Sequence, residues 1–259
     1  MRTYKAVAVS YLNTKPLLFG IYQEKLDEIV KITLANPAEC ADMLLSGEMD
    51  LGLVPVGILP QLPEYHIVSD YCIGAETQVK TVCIFSDCPL DEIEELYLDN
   101  QSRTSVLLVQ LLMKEYWKIS PRLLDAADGF EQQIGGKTAA VVIGDRAIPL
   151  LKKHKFVYDL AEAWYEWQKL PFVFAVWVST KPLEASFIET FNHALESGIQ
   201  RIPALVQILP NPGFDFDLEA YFNDCISYRL DEAKMQSLKL FLTYLQSEKY
   251  RAVGQASSI

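Results

Sequence analysis

The sequence predicts an α/β protein of two lobes with a ligand cleft between them. Three observations carry that expectation. Short apolar runs alternate with stretches of helical spacing, the alternation occurs twice along the chain, and no Gly/Ser-rich linker separates the two halves. With 259 residues, 50% of them hydrophobic, the chain can fill one large core or two contiguous lobes.

Each element has a local reason. "KAVAVSY" (5–11) reads as a buried strand, and Pro16 opens the helix that follows it. "IVKITLA" (29–35) is the next strand. Asn36-Pro37 then starts a second helix, with Glu39 placed to complete a capping box and Gly47 to end it. "MDLGLVPVG" (49–57) is a third strand, so this first unit predicts a parallel sheet. In the second unit "KTVCIFS" (80–86) and "ELYLD" (95–99) are strands. The loop "NQSRTS" leads into the helix "VLLVQLLMKEYWK", and "AAVVIG" (139–144) is a strand. "DRAIPLLKK" reads as a short helix with Asp145 as its N-cap, and "PFVFAVWVST" (171–180) as a long apolar strand. From 182 onward the spacing is mostly helical. Strands 79–86 and 171–180 are expected to cross between the lobes. One lobe would then comprise 1–82 and 178–259, and the other 83–177.

Composition excludes several functions. The net charge is −11, and no basic cluster exceeds "LKKHK" (151–155), which argues against nucleic acid. No apolar run is long enough to span a bilayer, and the N-terminus lacks a small-residue cleavage site, so the expectation is a cytoplasmic protein without a membrane partner. The five cysteines form no C-x-x-C pair and read as reduced, buried thiols. His66, His154 and His193 are too dispersed for a zinc site, and neither a P-loop nor G-x-G-x-x-G is present. No metal and no cofactor are expected.

Ligands of open α/β sheets bind beyond the carboxyl ends of strands. Here those loops hold Tyr11, Asn13 and Thr14; Pro55 and Val56; Ser102, Arg103, Thr104 and Ser105; and Gly144 with Asp145. Asn13 or Thr14 would serve either as helix cap or as ligand contact. The Ser102–Ser105 run precedes an apolar helix, where free amides and the helix dipole favour an anion, and Arg103 could grip a carboxylate. Asp145 reads either as N-cap or as a catalytic carboxylate. Thr81 could point its hydroxyl into the cleft from the first crossing strand, and Phe172 or Phe174 could wall it at the second. No Ser–His–Asp or Cys–His set is legible.

Five segments, "SYLNTKPL", "GEMDLGLVPVG", "SRTSVLL", "VVIGDRA" and "WQKLPFVFAVW", occur in this order. Together they resemble the chorismate dehydratases of the futalosine route to menaquinone, over essentially the whole chain. The resemblance implies a type II periplasmic-binding-protein fold turned into a cytoplasmic enzyme. It implies loss of water from chorismate, an anionic small molecule, to give 3-[(1-carboxyvinyl)oxy]benzoate. On that reading Asn13 and Thr81 contact the leaving hydroxyl or a carboxylate. The proton goes to a carboxylate of the substrate itself or, second, to Asp145. A sister family on the same fold, 1,4-dihydroxy-6-naphthoate synthase, carries Asn-Asp after the first strand and a catalytic histidine in the second lobe. Here Thr14 follows Asn13, and the second-lobe histidine is His154 within "LKKHK". A non-catalytic solute-binding protein would use the same cleft.

Overall fold

The computed structural model describes residues 3–210, 212–213 and 215–247. It contains two mixed sheets. The first has the order β11-β4-β10-β3-β1-β2, from β1 (Tyr4–Val9), β2 (Val30–Ala35), β3 (Leu51–Pro55), β4 (His66–Ala75), β10 (Phe172–Ser179) and β11 (Ser227–Arg229). The second has the order β7-β6-β8-β5-β9, from β5 (Val82–Ser86), β6 (Glu95–Leu98), β7 (Arg122–Asp125), β8 (Thr138–Ile143) and β9 (Phe156–Asp159). Strands β1, β2 and β3 run parallel, as the first strand–helix–strand unit requires, and β10 lies antiparallel to both β3 and β4.

Helices α1 (Lys15–Gln23), α2 (Pro37–Leu45), α3 (Thr104–Leu111) and α4 (Leu160–Gln168) follow strands or their turns. The later part of the chain supplies α5 (Ala185–Gln200), α6 (Ile202–Ile208), α7 (Leu218–Ala220) and α8 (Glu232–Gln246). Every residue of β3, β5 and β10 is buried, which is why these strands read as unbroken apolar runs. Helix α2 has its capping box: Asn36 accepts from the Glu39 amide, and Glu39 accepts from the Asn36 amide. Helix α3 passes directly into a π-helical segment, Leu112–Trp117.

The strands expected to cross between lobes do not do so. β5 pairs only within the second sheet and β10 only within the first. The crossovers are the short connections 76–81 and 169–171. Each contains a lysine in the left-handed region, Lys80 at φ 62° and Lys169 at φ 58°. We propose that the lobes follow the sheets, which moves residues 172–177 to the first lobe; residues 1–2, 211, 214 and 248–259 of the expected span lie outside the described residues. Asp145 is not a helix cap. The short 3-10 helix Gly144–Leu150 has Ile143 at its N-cap position with no side-chain bond.

The aromatic run near 164–177 is mostly core. Trp164, Phe172 and Phe241 pack edge to face at centroid distances of 5.2–5.9 Å, and the Trp164 indole donates to Ser237 at 2.9 Å. One contact sets the approach to the cleft. Helices α1 and α5 meet backbone to backbone at Gly20 and Gly198, and a Cβ on Gly198 would lie 2.0 Å from the carbonyl oxygen of Pro16. Only glycine permits this, so α5 fixes the height of the α1 N-terminus above the sheet. Gly198→Ala should therefore destabilise the protein by about 3 kcal/mol, the upper part of the usual overpacking range. Thermal or denaturant unfolding checks it, and an unchanged midpoint would mean that the helices do not meet at these residues.

Candidate active site between the sheets

The site begins where β1 ends. Tyr11 leaves the strand in extended conformation, and Leu12–Thr14 form one 3-10 turn before α1. Neither Asn13 nor Thr14 caps that helix: no side-chain cap bond exists at either helix start. The backbone amide of Leu12 instead reaches across the cleft to the Asp145 carboxylate, at 3.0 and 3.3 Å to its two oxygens. Beside that bond the Tyr11 ring lies over Gly144, which sits at φ +64° and whose Cβ would come within 2.6 Å of the ring. The Tyr11 hydroxyl donates to Gln101 Oε1 at 2.6 Å, and the Gln101 carbonyl accepts from the Ala38 amide at 3.1 Å. Thr104 completes the joint, donating to the Phe174 carbonyl and accepting from the Gly57 amide, both at 3.0 Å.

These ties enclose a cavity between the sheets. It offers about 50 Å³ to the centre of a water molecule within about 500 Å³ of space between its walls. Its polar lining comes from Tyr11, Asn13, Ser102, Thr104 and Ser105, with Gly144 exposing backbone; the remaining walls are apolar, including Pro55, Val79 and Phe174. Among the described residues, no charged side chain lines it. Positive potential comes from backbone instead. The cavity touches the turn before α1, Pro37 at the start of α2, and Thr104 at the start of α3. Three helix N-termini thus converge there, each equivalent to roughly half a positive charge.

The polar groups divide by their partners. Asn13 accepts from the Thr14 hydroxyl at 3.2 Å, and its carbonyl accepts from Tyr228 at 3.0 Å. Among the described residues its amide NH₂ donates to no protein group, which leaves two donors for a ligand. Ser102 Oγ accepts from the Ser105 amide at 3.0 Å, and its own proton stays available. Burial pushes the Tyr11 phenol up to about 12 against the pull of Arg146, so it remains a neutral donor to Gln101. Burial also raises the Asp145 carboxyl, with the Leu12 amide and Lys15 pulling it back.

Other expected residues stand elsewhere. Arg103 does not line the cavity; its half-exposed guanidinium is 3.5 Å from Asp42 on α2. Thr81 is fully buried, its hydroxyl 2.8 Å from that of Tyr221 and 3.4 Å from the Val79 carbonyl. Asp145 is turned to Leu12. Thr14, Val56 and Phe172 are buried behind the walls, while Pro55 and Phe174 form them. Arg146 is held by both oxygens of buried Asp99 and by Glu131. Sequence reasoning missed the apolar walls Val9, Ile73, Val79, Val82 and Ile143, which carry no signal distinct from core, and it missed the role of Gln101. Next to the cleft, Asp159 anchors the crossover, accepting from the amides of Val79 and Lys80 at 2.9 and 2.6 Å; burial lifts its carboxyl to about 6 although four amides oppose the shift. No cluster of three metal-ligating side chains exists among the described residues.

Comparison with known proteins agrees with this architecture. A family model described as menaquinone biosynthesis matches residues 5–247. A chorismate dehydratase of Thermus thermophilus is 28% identical over 222 residues, covering 78% of this chain and 80% of the relative. Among solved structures, protein AF1704 of Archaeoglobus fulgidus superposes with a TM-score of 0.75 at 14% identity, covering 95% of this chain and 98% of the other. The alkanesulfonate-binding protein SsuA of Xanthomonas axonopodis pv. citri, bound to MOPS, gives 0.64 at 12% identity over 96% and 94%. The fold is that of the periplasmic binding proteins. With Arg103 outside the cavity in an exposed ion pair, Arg103→Ala should change the affinity for an anionic ligand by less than about 1 kcal/mol. Titration calorimetry checks it, and a loss of tenfold or more would place the guanidinium on the ligand.

Proposed function

This chain belongs to the menaquinone biosynthesis family, and from that premise we propose that it is a chorismate dehydratase, a hydro-lyase acting in the cytoplasm on the futalosine route. The observation that carries the reading is the make-up of the cavity: hydroxyl and amide donors at converging helix N-termini, apolar walls, and no charged side chain among the described residues. That set suits a small dianion whose chemistry needs little from a protein base. The relative from Thermus thermophilus supports the same reading.

Chorismate has a ring hydroxyl on C4 and a hydrogen on C3. Breaking the C4–O and C3–H bonds leaves a new C3–C4 double bond, which completes the aromatic ring; the hydroxyl and the proton depart as water. Aromatisation supplies the driving force, so the protein must orient, donate and exclude solvent. The hydroxyls of Ser102 and Ser105, at the start of α3, suit a carboxylate, while their two amides already donate to the Asp99 carbonyl and to Ser102 Oγ. The Asn13 NH₂ suits the leaving hydroxyl, whose developing charge a donor stabilises. Among the described residues no lining side chain is a carboxylate or histidine, so the C3 proton is assigned to a carboxylate of the substrate, which passes it to the departing hydroxide to give water. Against the sister synthase stands His154: its ring bonds Asp87 at 3.1 Å and does not line the cavity.

The purified protein should convert chorismate to 3-[(1-carboxyvinyl)oxy]benzoate, followed by chromatography and mass. Chorismate bound but returned unchanged would make this a binding protein, and chorismate neither bound nor changed would remove it from this reaction. Because Asn13 is not a cap, Asn13→Asp should melt near the wild-type temperature. It should nevertheless raise the reaction barrier by at least about 2 kcal/mol, since a donor becomes an acceptor-only anion beside a dianion. A stable variant with near-wild-type rates would take Asn13 out of the reaction.

A further inference from the structure

We infer that Tyr228 is a positioning residue for Asn13, an inference that rests on the reading of the cavity as the site of dehydration. Tyr228 lies 215 residues from Asn13 in sequence, yet its hydroxyl donates to the Asn13 carbonyl at 3.0 Å. The geometry explains why a distant side chain is needed. In a 3-10 turn a carbonyl accepts from the amide three residues on. For Asn13 that residue is Pro16, which has no N–H. The turn carrying the cavity's amide donor therefore lacks its local tie at the residue that matters, and the phenol supplies it.

The phenol is itself held firmly. Tyr228 sits in the middle of β11, between the pairings of Ser227 with Gly74 and of Arg229 with Tyr71 on β4. Its side chain is buried, and burial keeps the hydroxyl protonated at any working pH, so it stays a donor. Asn13 has no competing restraint from a helix cap, and its side-chain oxygen accepts only a neighbouring hydroxyl among the described residues. The direction of its NH₂ thus follows from where the main chain is pinned. A second tyrosine of the same segment, Tyr221, is bonded at the other side of the cleft to Thr81, in the crossover. The segment 218–229 is in this sense a buttress behind the site rather than part of its lining.

Tyr228→Phe keeps the ring and removes only the donor. The test is a double-mutant cycle with Asn13→Ala, read both as turnover of chorismate and as affinity for the product, 3-[(1-carboxyvinyl)oxy]benzoate. Wild-type turnover comes first, because its absence would overturn the functional reading whatever Tyr228 does. Given turnover, Tyr228→Phe should lower kcat/KM and weaken product binding by roughly tenfold, the scale of one lost hydrogen bond. In the Asn13→Ala background the same change should have almost no effect on product binding, since there is no side chain left to aim. Tyr71→Phe, which removes a hydroxyl that faces Arg229 and Glu196 away from the cavity, should leave turnover unchanged. Equal losses from Tyr228→Phe in both backgrounds, or no loss in the wild-type background, would overturn the inference.

Discussion

The cleft depends on one hydrogen bond, the Leu12 amide donating to the Asp145 carboxylate. The donor leaves the end of β1 in the first sheet and the acceptor leaves the end of β8 in the second. Once it forms, the neighbours on each side have little choice. Tyr11 comes to rest on Gly144 and reaches Gln101, while Asn13 faces the enclosed space. A charged acceptor makes this bond stronger than an ordinary backbone pair, and its partial burial between the sheets limits its exposure to water. It also engages the Asp145 carboxylate with a structural partner.

A second constraint is electrostatic. A protein of net charge −11 must admit an anion to its interior. A lysine or arginine in the cavity would do so at the expense of a buried, desolvated ion when the site is empty. The arrangement here uses fixed partial charges instead. Helix N-termini and hydroxyls carry no net charge to desolvate when the site is empty and need little reorganisation with a ligand. The nearby arginines are neutralised elsewhere, Arg146 by Asp99 and Glu131 and Arg103 by Asp42.

Much of this was legible in the sequence because it is local. The Asn36–Glu39 capping box, the left-handed Gly47 and the apolar runs of β1, β3, β8 and β10 each declare themselves within a few residues. The polar loops after β1 and before α3 were found by the same logic, and Asn13, Ser102 and Ser105 do line the cavity. What was not legible is what depends on distant partners. Strand β4, interrupted by Ser69, Asp70 and Gly74, has no clean period, and β11 is three residues at an edge. Asp145 has the local pattern of an N-cap but is claimed by an amide 133 residues away. Arg103 follows Ser102 in a donor-rich run, yet a helix start turns successive side chains to different faces, and Arg103 falls on the outer one. Thr81 looked like a cleft residue until Tyr221 claimed its hydroxyl.

The central claim is that Asp145 holds the cleft together and that the substrate's own carboxylate takes the proton. Asp145→Asn separates the two roles, because the asparagine oxygen still accepts from the Leu12 amide while the group loses its basicity. The measurement is the kcat of this variant for chorismate between pH 6 and 8. The account predicts a rate within about fivefold of wild type with the same pH dependence, the size of a weakened but intact hydrogen bond. A fall of a hundredfold or more, in a variant that folds and still binds product, would contradict it and return Asp145 to the role of base.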